Sequence, residues 1–131
     1  MPTMTVQEFW SCQDSCYVAV HCANNEQAKR IMRMFRRAGK AWGGKDVHHP
    51  EKYAHINTYD PKDTHWRGHR GGTCYTNMGG HGSLALYKEW QKDPSSCVLK
   101  DTYKRGVPWV IIECNDLIEL PYLFKFDLEG E

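Results

Sequence analysis

Between residues 24 and 39 the chain alternates apolar and polar positions with the period of a helix. Ala28, Ile31, Phe35 and Ala38, with Met32 beside them, recur at three- and four-residue spacing, and the basic residues take the other side. This spacing predicts an amphipathic helix over residues 25–38. Asn24 suits its N-cap, Gln27 follows three residues later as a capping box asks, and Gly39 suits the position just past its end. The stretch before it, "CYVAVHC", is compact and β-branched, so it predicts a buried strand feeding the helix through Ala23 and Asn24.

Weaker patterns fill the rest. "KAWGG" predicts a short strand at residues 40–42, ended by Gly43 and Gly44. Residues 45–71 show no sustained period and predict a long polar loop with at most short pieces of structure, of a length that in compact domains is often functional. "TCYTN" and "SLALY" read as two strands joined by the turn "MGGHG", and "KEWQKD" as a helical turn closed by Pro94. "VPWVIIEC" is too continuously apolar for a strand with one wet face, which predicts a central position. "NDLIEL" reads as a short turn before the closing "PYLFKFDLEGE". The expected architecture is a single α+β domain over residues 1–131: one main amphipathic helix packed on a mostly antiparallel four- or five-stranded sheet.

Composition narrows the class. In 131 residues, 40% hydrophobic and 25% charged content is that of a globular chain with a modest core. No apolar run reaches the roughly 18–20 residues of a membrane span, and "MPTMTVQEFW" lacks a basic region followed by an apolar one. The expectation is a cytoplasmic protein with no membrane partner. Cys12, Cys16, Cys22, Cys74, Cys97 and Cys114 are accordingly read as reduced thiols.

The net charge of +1 hides a dipolar layout. Lys29, Arg30, Arg33, Arg36, Arg37, Lys40 and Lys45 follow one another with no acid between them, whereas Glu113, Asp116, Glu119, Asp127, Glu129 and Glu131 crowd the C-terminal end. Arg30, Arg33, Arg37 and Lys40 fall at helical spacing and predict a basic stripe for nucleic acid, nucleotides or an acidic protein surface.

A second basic candidate is "HWRGHRGGTCY". Arg67 and Arg70 can give forked hydrogen bonds, Gly68, Gly71 and Gly72 let backbone N–H groups approach a ligand, and Thr73 adds a hydroxyl. It is neither a phosphate-binding loop of the lysine-serine type nor a dinucleotide fingerprint. Trp66 and Tyr75, with Trp42 and Tyr59, offer stacking surfaces for bases. Two other chemistries are open. Cys12-x-x-x-Cys16 and His65-x-x-x-His69 together make a Cys₂His₂ set of the kind zinc prefers, although the pairs lie far apart for a zinc finger. "HHPEKYAHIN" echoes the histidine and asparagine of metal-dependent phosphodiesterases, without their paired carboxylates. With six cysteines and seven histidines, any Cys–His nucleophile pair is conceivable and none is singled out.

The order "YVAVHC…NEQAKRIMRMFRRAGKAW…GGTCY…GSLALY…WVIIECNDL", spanning roughly residues 16–118, resembles a loose group of small proteins encoded in phages and prophages of Gram-positive bacteria. The shared features are a strand ending in His-Cys, a Glu-x-Ala helix, a Gly-x-x-Trp exit, Thr-Cys-Tyr and a closing strand with an acid-rich end. The insert "HHPEKYAHINTYDPKDTHWRGHRGG" departs from that pattern. The resemblance implies an accessory protein that antagonises host defence, by blocking a CRISPR effector or sequestering a nucleotide signal. The combined expectation is a binding protein without turnover, with no cofactor, no metal and no catalytic residue assigned. Its expected partner is a bacterial defence effector or an anionic nucleotide or nucleic acid, and a homo-oligomer stays open. A small metal-dependent nuclease or hydrolase is the alternative, and a zinc-stabilised interaction module the third reading.

Overall fold

The computed structural model describes residues 3–12, 15–42, 45–46, 59–96 and 107–119. In chain order they form β1 (Met4–Thr5), α1 (Val6–Ser11), β2 (Tyr17–Cys22), α2 (Asn25–Arg37), β3 (Lys40–Ala41) and β4 (Lys45–Asp46). These are followed by α3 (Trp66–His69), β5 (Thr73–Thr76), β6 (His81–Ser83), α4 (Leu84–Lys92), β7 (Trp109–Glu113) and β8 (Leu117–Ile118). The expected α+β class is what the chain adopts. Its main sheet has the order β6-β5-β2-β7, antiparallel at β5–β6 and β2–β5 but parallel at β2–β7. Two small pairs flank it, β1 with β8 and β3 with β4.

Strand alternation sorts side chains to two faces. Val18, Val20 and Cys22 of β2, Tyr75 of β5, and Ile112 of β7 meet Ala28, Ile31, Met32, Met34 and Phe35 of α2 and Val6, Phe9 and Trp10 of α1. On the opposite face, Tyr17, Ala19, Cys74 and Trp109 pack with Tyr87 and Trp90 of α4. The sheet is therefore covered by helices on both sides, not packed under one helix. That explains "VPWVIIEC": β7 lies at the edge of the sheet, not at its centre, and its continuous apolarity serves two covered faces.

Helix α2 matches its predicted span and face, with Ile31 and Phe35 fully buried. Asn24 Oδ1 accepts from Gln27 N at 2.9 Å, while the Gln27 side chain reaches past the cap to accept from Ala23 N at 2.7 Å. Gly39 takes a left-handed φ of 76° beyond the helix end, where a side chain would be strained. The short β3 begins where "KAWGG" suggested, at Lys40.

Two assignments need correction. "SLALY" opens α4 instead of forming a strand, because the Ser83 hydroxyl caps the helix by accepting from Leu86 N at 3.3 Å and Leu-Ala-Leu favours helix. The hairpin partner of β5 is the shorter β6, and Gly82 there leaves space that the Tyr87 ring occupies: an added Cβ would sit 2.5 Å from its hydroxyl. Second, residues 6–11 form α1, which no apolar period marks but which Thr5 and Glu8 open with a reciprocal capping box at distances of 3.1 and 2.9 Å. The expected loop at 45–71 holds only short pieces of structure among the described residues, β4 and α3; residues 47–58 of it lie outside the described residues.

Candidate functional site

The stretch from Asp63 to Gly72 is tied down at both ends. Thr64 Oγ1 donates to Asn25 Oδ1 at 2.7 Å, and the buried Tyr75 hydroxyl donates to the Thr64 carbonyl. At the far end, Thr73 Oγ1 donates to the Arg70 carbonyl at 2.7 Å and His21 Nε2 donates to the Gly71 carbonyl at 2.7 Å. Between these anchors two non-glycine residues hold positive φ: His65 at φ 59°, ψ 20° and Arg70 at φ 47°, ψ −130°. Backbone of the second kind is costly for any L side chain and persists only where the surroundings over-determine it.

This segment presents Arg67 and Arg70 to solvent. Neither guanidinium has a hydrogen bond or ion pair among the described residues. Gly68 between them has open space where a side chain would stand. The other candidates in the stretch are structural. Thr73 and Tyr75 are fully buried with their hydroxyls committed to backbone carbonyls, and Trp66 packs half-buried against the core. The Gly71 carbonyl is occupied by His21, while Gly72 packs close to Leu84.

The helix stripe is also not what its spacing suggested. Arg30 donates from Nη1 to the Cys114 carbonyl at 2.8 Å and from Nη2 to the Leu117 carbonyl at 3.1 Å. Arg37 grips Glu119. Lys40 lies over the Trp10 ring, 5.3 Å from its centroid. Carbonyls and an acid far off in sequence thus compensate Arg30 and Arg37, while Lys29 at the start of the run pairs with Glu26 on the same helix at 3.5 Å. Of the four stripe residues, only Arg33 is an exposed cation with no partner among the described residues.

Three imidazoles gather beside the arginine turn. His81, on edge strand β6, stacks on His65 with centroids 4.0 Å apart and planes 9° from parallel. Its Nδ1 lies 2.9 Å from His69 Nε2. Trp42 meets both His65 and His81 edge-on, at 5.1 and 5.5 Å. Burial, then the charges of His65 and His69, push the His81 imidazole down to about 4, so it is neutral at physiological pH. Spacing in the sequence links His65 to His69, and His81 lies in the same glycine-rich stretch of residues 65–82, but His81 and Trp42 reach the cluster only through the hairpin and the α2–β3 exit.

The thiols take separate roles. Cys12 and Cys16 are close, Sγ to Sγ 3.7 Å, with Asn77 Nδ2 3.6 Å from Cys12 Sγ. The Cys₂His₂ zinc set does not assemble: among the described residues no group of three or more His, Cys, Asp or Glu is placed to hold a metal ion. A Cys–His–Glu line does cross one sheet face, since His21 is opposite both Cys74 and Glu113 in the strand registers and its Nδ1 lies 2.7 Å from Glu113 Oε1. It is not a nucleophile with its base. His21 Nε2 is taken by Gly71, and burial, then the Glu113 charge, push the enclosed Cys74 thiol up to about 12. Cys114 is different: a hydrogen bond from the Cys22 thiol, then the Arg30 guanidinium at 3.3 Å, bring it below the ordinary thiol value. Only 1% of it is exposed, which keeps substrates away. The nuclease-like "HHPEKYAHIN" lies outside the described residues.

No family model matches the chain, and no curated protein or solved structure is significantly similar to it. Among the described residues, no helix is long and apolar enough to cross a membrane.

Proposed function

We propose that the protein is a binding module without turnover that takes a phosphate-bearing ligand, a nucleotide or nucleic acid, at the turn carrying Arg67 and Arg70. The observation that carries this reading is the contrast between the arginines. Arg30 and Arg37 are spent on the fold, whereas Arg67 and Arg70 stand exposed with no partner among the described residues, on a strained turn anchored at both ends. Guanidinium forks held on a fixed backbone suit phosphate oxygens, because less ordering is needed on binding. In the setting that the resemblance to phage proteins implies, the ligand is a nucleotide signal of host defence or the nucleic acid of a defence effector. Fluorescence anisotropy with labelled cyclic dinucleotide, mononucleotide, single-stranded DNA and RNA separates these ligands. Binding of none of them at low salt overturns the reading.

A further inference from the structure

We infer that His69 and His81 form a chelating site for a divalent transition ion of the nickel, copper or zinc type, with His65 recruited as a third ligand. The inference goes beyond anion binding and stands whether or not Arg67 and Arg70 take a phosphate. Two nitrogens that each lie about 2.0–2.1 Å from one ion are separated by about 2.9–3.4 Å for bond angles between about 90° and 110°. His69 Nε2 and His81 Nδ1 are 2.9 Å apart. The two nitrogens face each other in a hydrogen bond, with the ring planes inclined by 58°, and an ion would enter by replacing that shared hydrogen.

His65 and His81 cannot share an ion as they stand. Their near-parallel planes, 9° apart, aim the lone pairs along separate sheets of space. His65 is therefore the ligand that must turn, and its side chain, 35% exposed and 4.0 Å from Asp63 Oδ1, has solvent to turn into. The two ready nitrogens sit on regular elements, α3 and β6, and Trp42 walls the cluster on one side. Imidazole nitrogens as the donor atoms select nickel, copper or zinc over magnesium or calcium, and the Asp63 carboxylate beside His65 adds favourable charge for any cation. When the ion enters, the hydrogen shared by His69 and His81 moves to the outer nitrogen of its own ring.

The test is calorimetric titration of Ni²⁺ into tag-free, fully reduced protein, with Mg²⁺ in a parallel run. The expected result is one equivalent of Ni²⁺ bound and no Mg²⁺ heat. His69→Gln and His81→Gln should each weaken binding by more than about tenfold, since even lost outer-shell partners cost about 10- to 100-fold. Unchanged affinity in both variants overturns the site. So does loss of binding in His48→Gln/His49→Gln/His55→Gln or in Cys12→Ser/Cys16→Ser, which would move the ion elsewhere. Paramagnetic broadening by Cu²⁺ in NMR spectra of the wild-type protein needs no variant: broadening centred on residues 65–69 and 81 supports the site, and broadening centred elsewhere contradicts it.

Discussion

Arg37 and Glu119 are joined by a two-pronged ion pair, with Nε 3.0 Å from Oε2 and Nη2 2.5 Å from Oε1, although 82 positions separate them. Together with Arg30 on the carbonyls of Cys114 and Leu117, this pair fastens α2 to the segment after β7. The basic run and the acidic end of the sequence are thus partly each other's complement, and their opposed charge is in part a device of folding.

Arg37→Ala should destabilise the protein by about 1–3 kcal/mol, because Glu119, only 17% exposed, would be left without its forked partner. Arg33→Ala, on the same helix but exposed, should change stability by less than about 0.5 kcal/mol. Urea denaturation of the two variants checks the contrast, and equal effects would mean that the ion pair contributes nothing.

Phe35→Ala should cost about 3–5 kcal/mol, as expected for emptying a packed aromatic site. The ring is fully buried, stacks on Phe9 with centroids 5.1 Å apart and meets Tyr59 at 5.0 Å. A loss below about 1 kcal/mol in chemical denaturation would reject the assignment of the α2 face.

Arg70→Gly should raise stability by about 1 kcal/mol or more, since glycine accepts φ 47°, ψ −130° without the strain an arginine bears. The same substitution removes one of the two proposed ligand contacts, so thermal stability and affinity should move in opposite directions. A lowered melting temperature would show that the turn is not strained.

Stability should rise with pH just below the ordinary thiol range. The Cys22 hydrogen bond, then Arg30, hold the folded Cys114 thiol below its ordinary value, so there unfolding takes up a proton and is disfavoured as pH increases. The contribution is fully present above the ordinary thiol value and is lost as pH falls through the lowered one. Cys114→Ala should flatten this part of the stability profile, and an unchanged slope would show that Cys114 is not ionised in the folded state.

What could be read from the sequence was what local periodicity and capping encode. The α2 stripe, Asn24, Gly39 and the strand at residues 17–22 are short-range patterns, and the fold follows them. Ser83 before Leu-Ala-Leu and Thr5 with Glu8 were equally local signals for α4 and α1 that apolar alternation obscured. The site was legible only in part. Arg67 and Arg70 stand exposed as their glycine-rich surroundings suggested, but the burial of Tyr75 and Thr73 depends on β5 lying between β2 and β6. The fates of Arg30 and Arg37 depend on residues more than 80 positions away, a distance over which no helical spacing carries information.

The most direct test of anion recognition at the turn is the salt dependence of binding to a labelled single-stranded oligonucleotide, measured for wild type and for Arg67→Ala/Arg70→Ala. Both charges are exposed, so the variant should fold with nearly unchanged stability. It should bind more weakly by about 1.5–3 kcal/mol for each charged hydrogen bond lost. Its plot of log affinity against log salt concentration should be shallower by about 1.4, two phosphate contacts at about 0.7 each. Wild-type affinity with an unchanged salt slope in the double variant would contradict the account and leave Arg33 as the exposed member of the helix stripe to examine next.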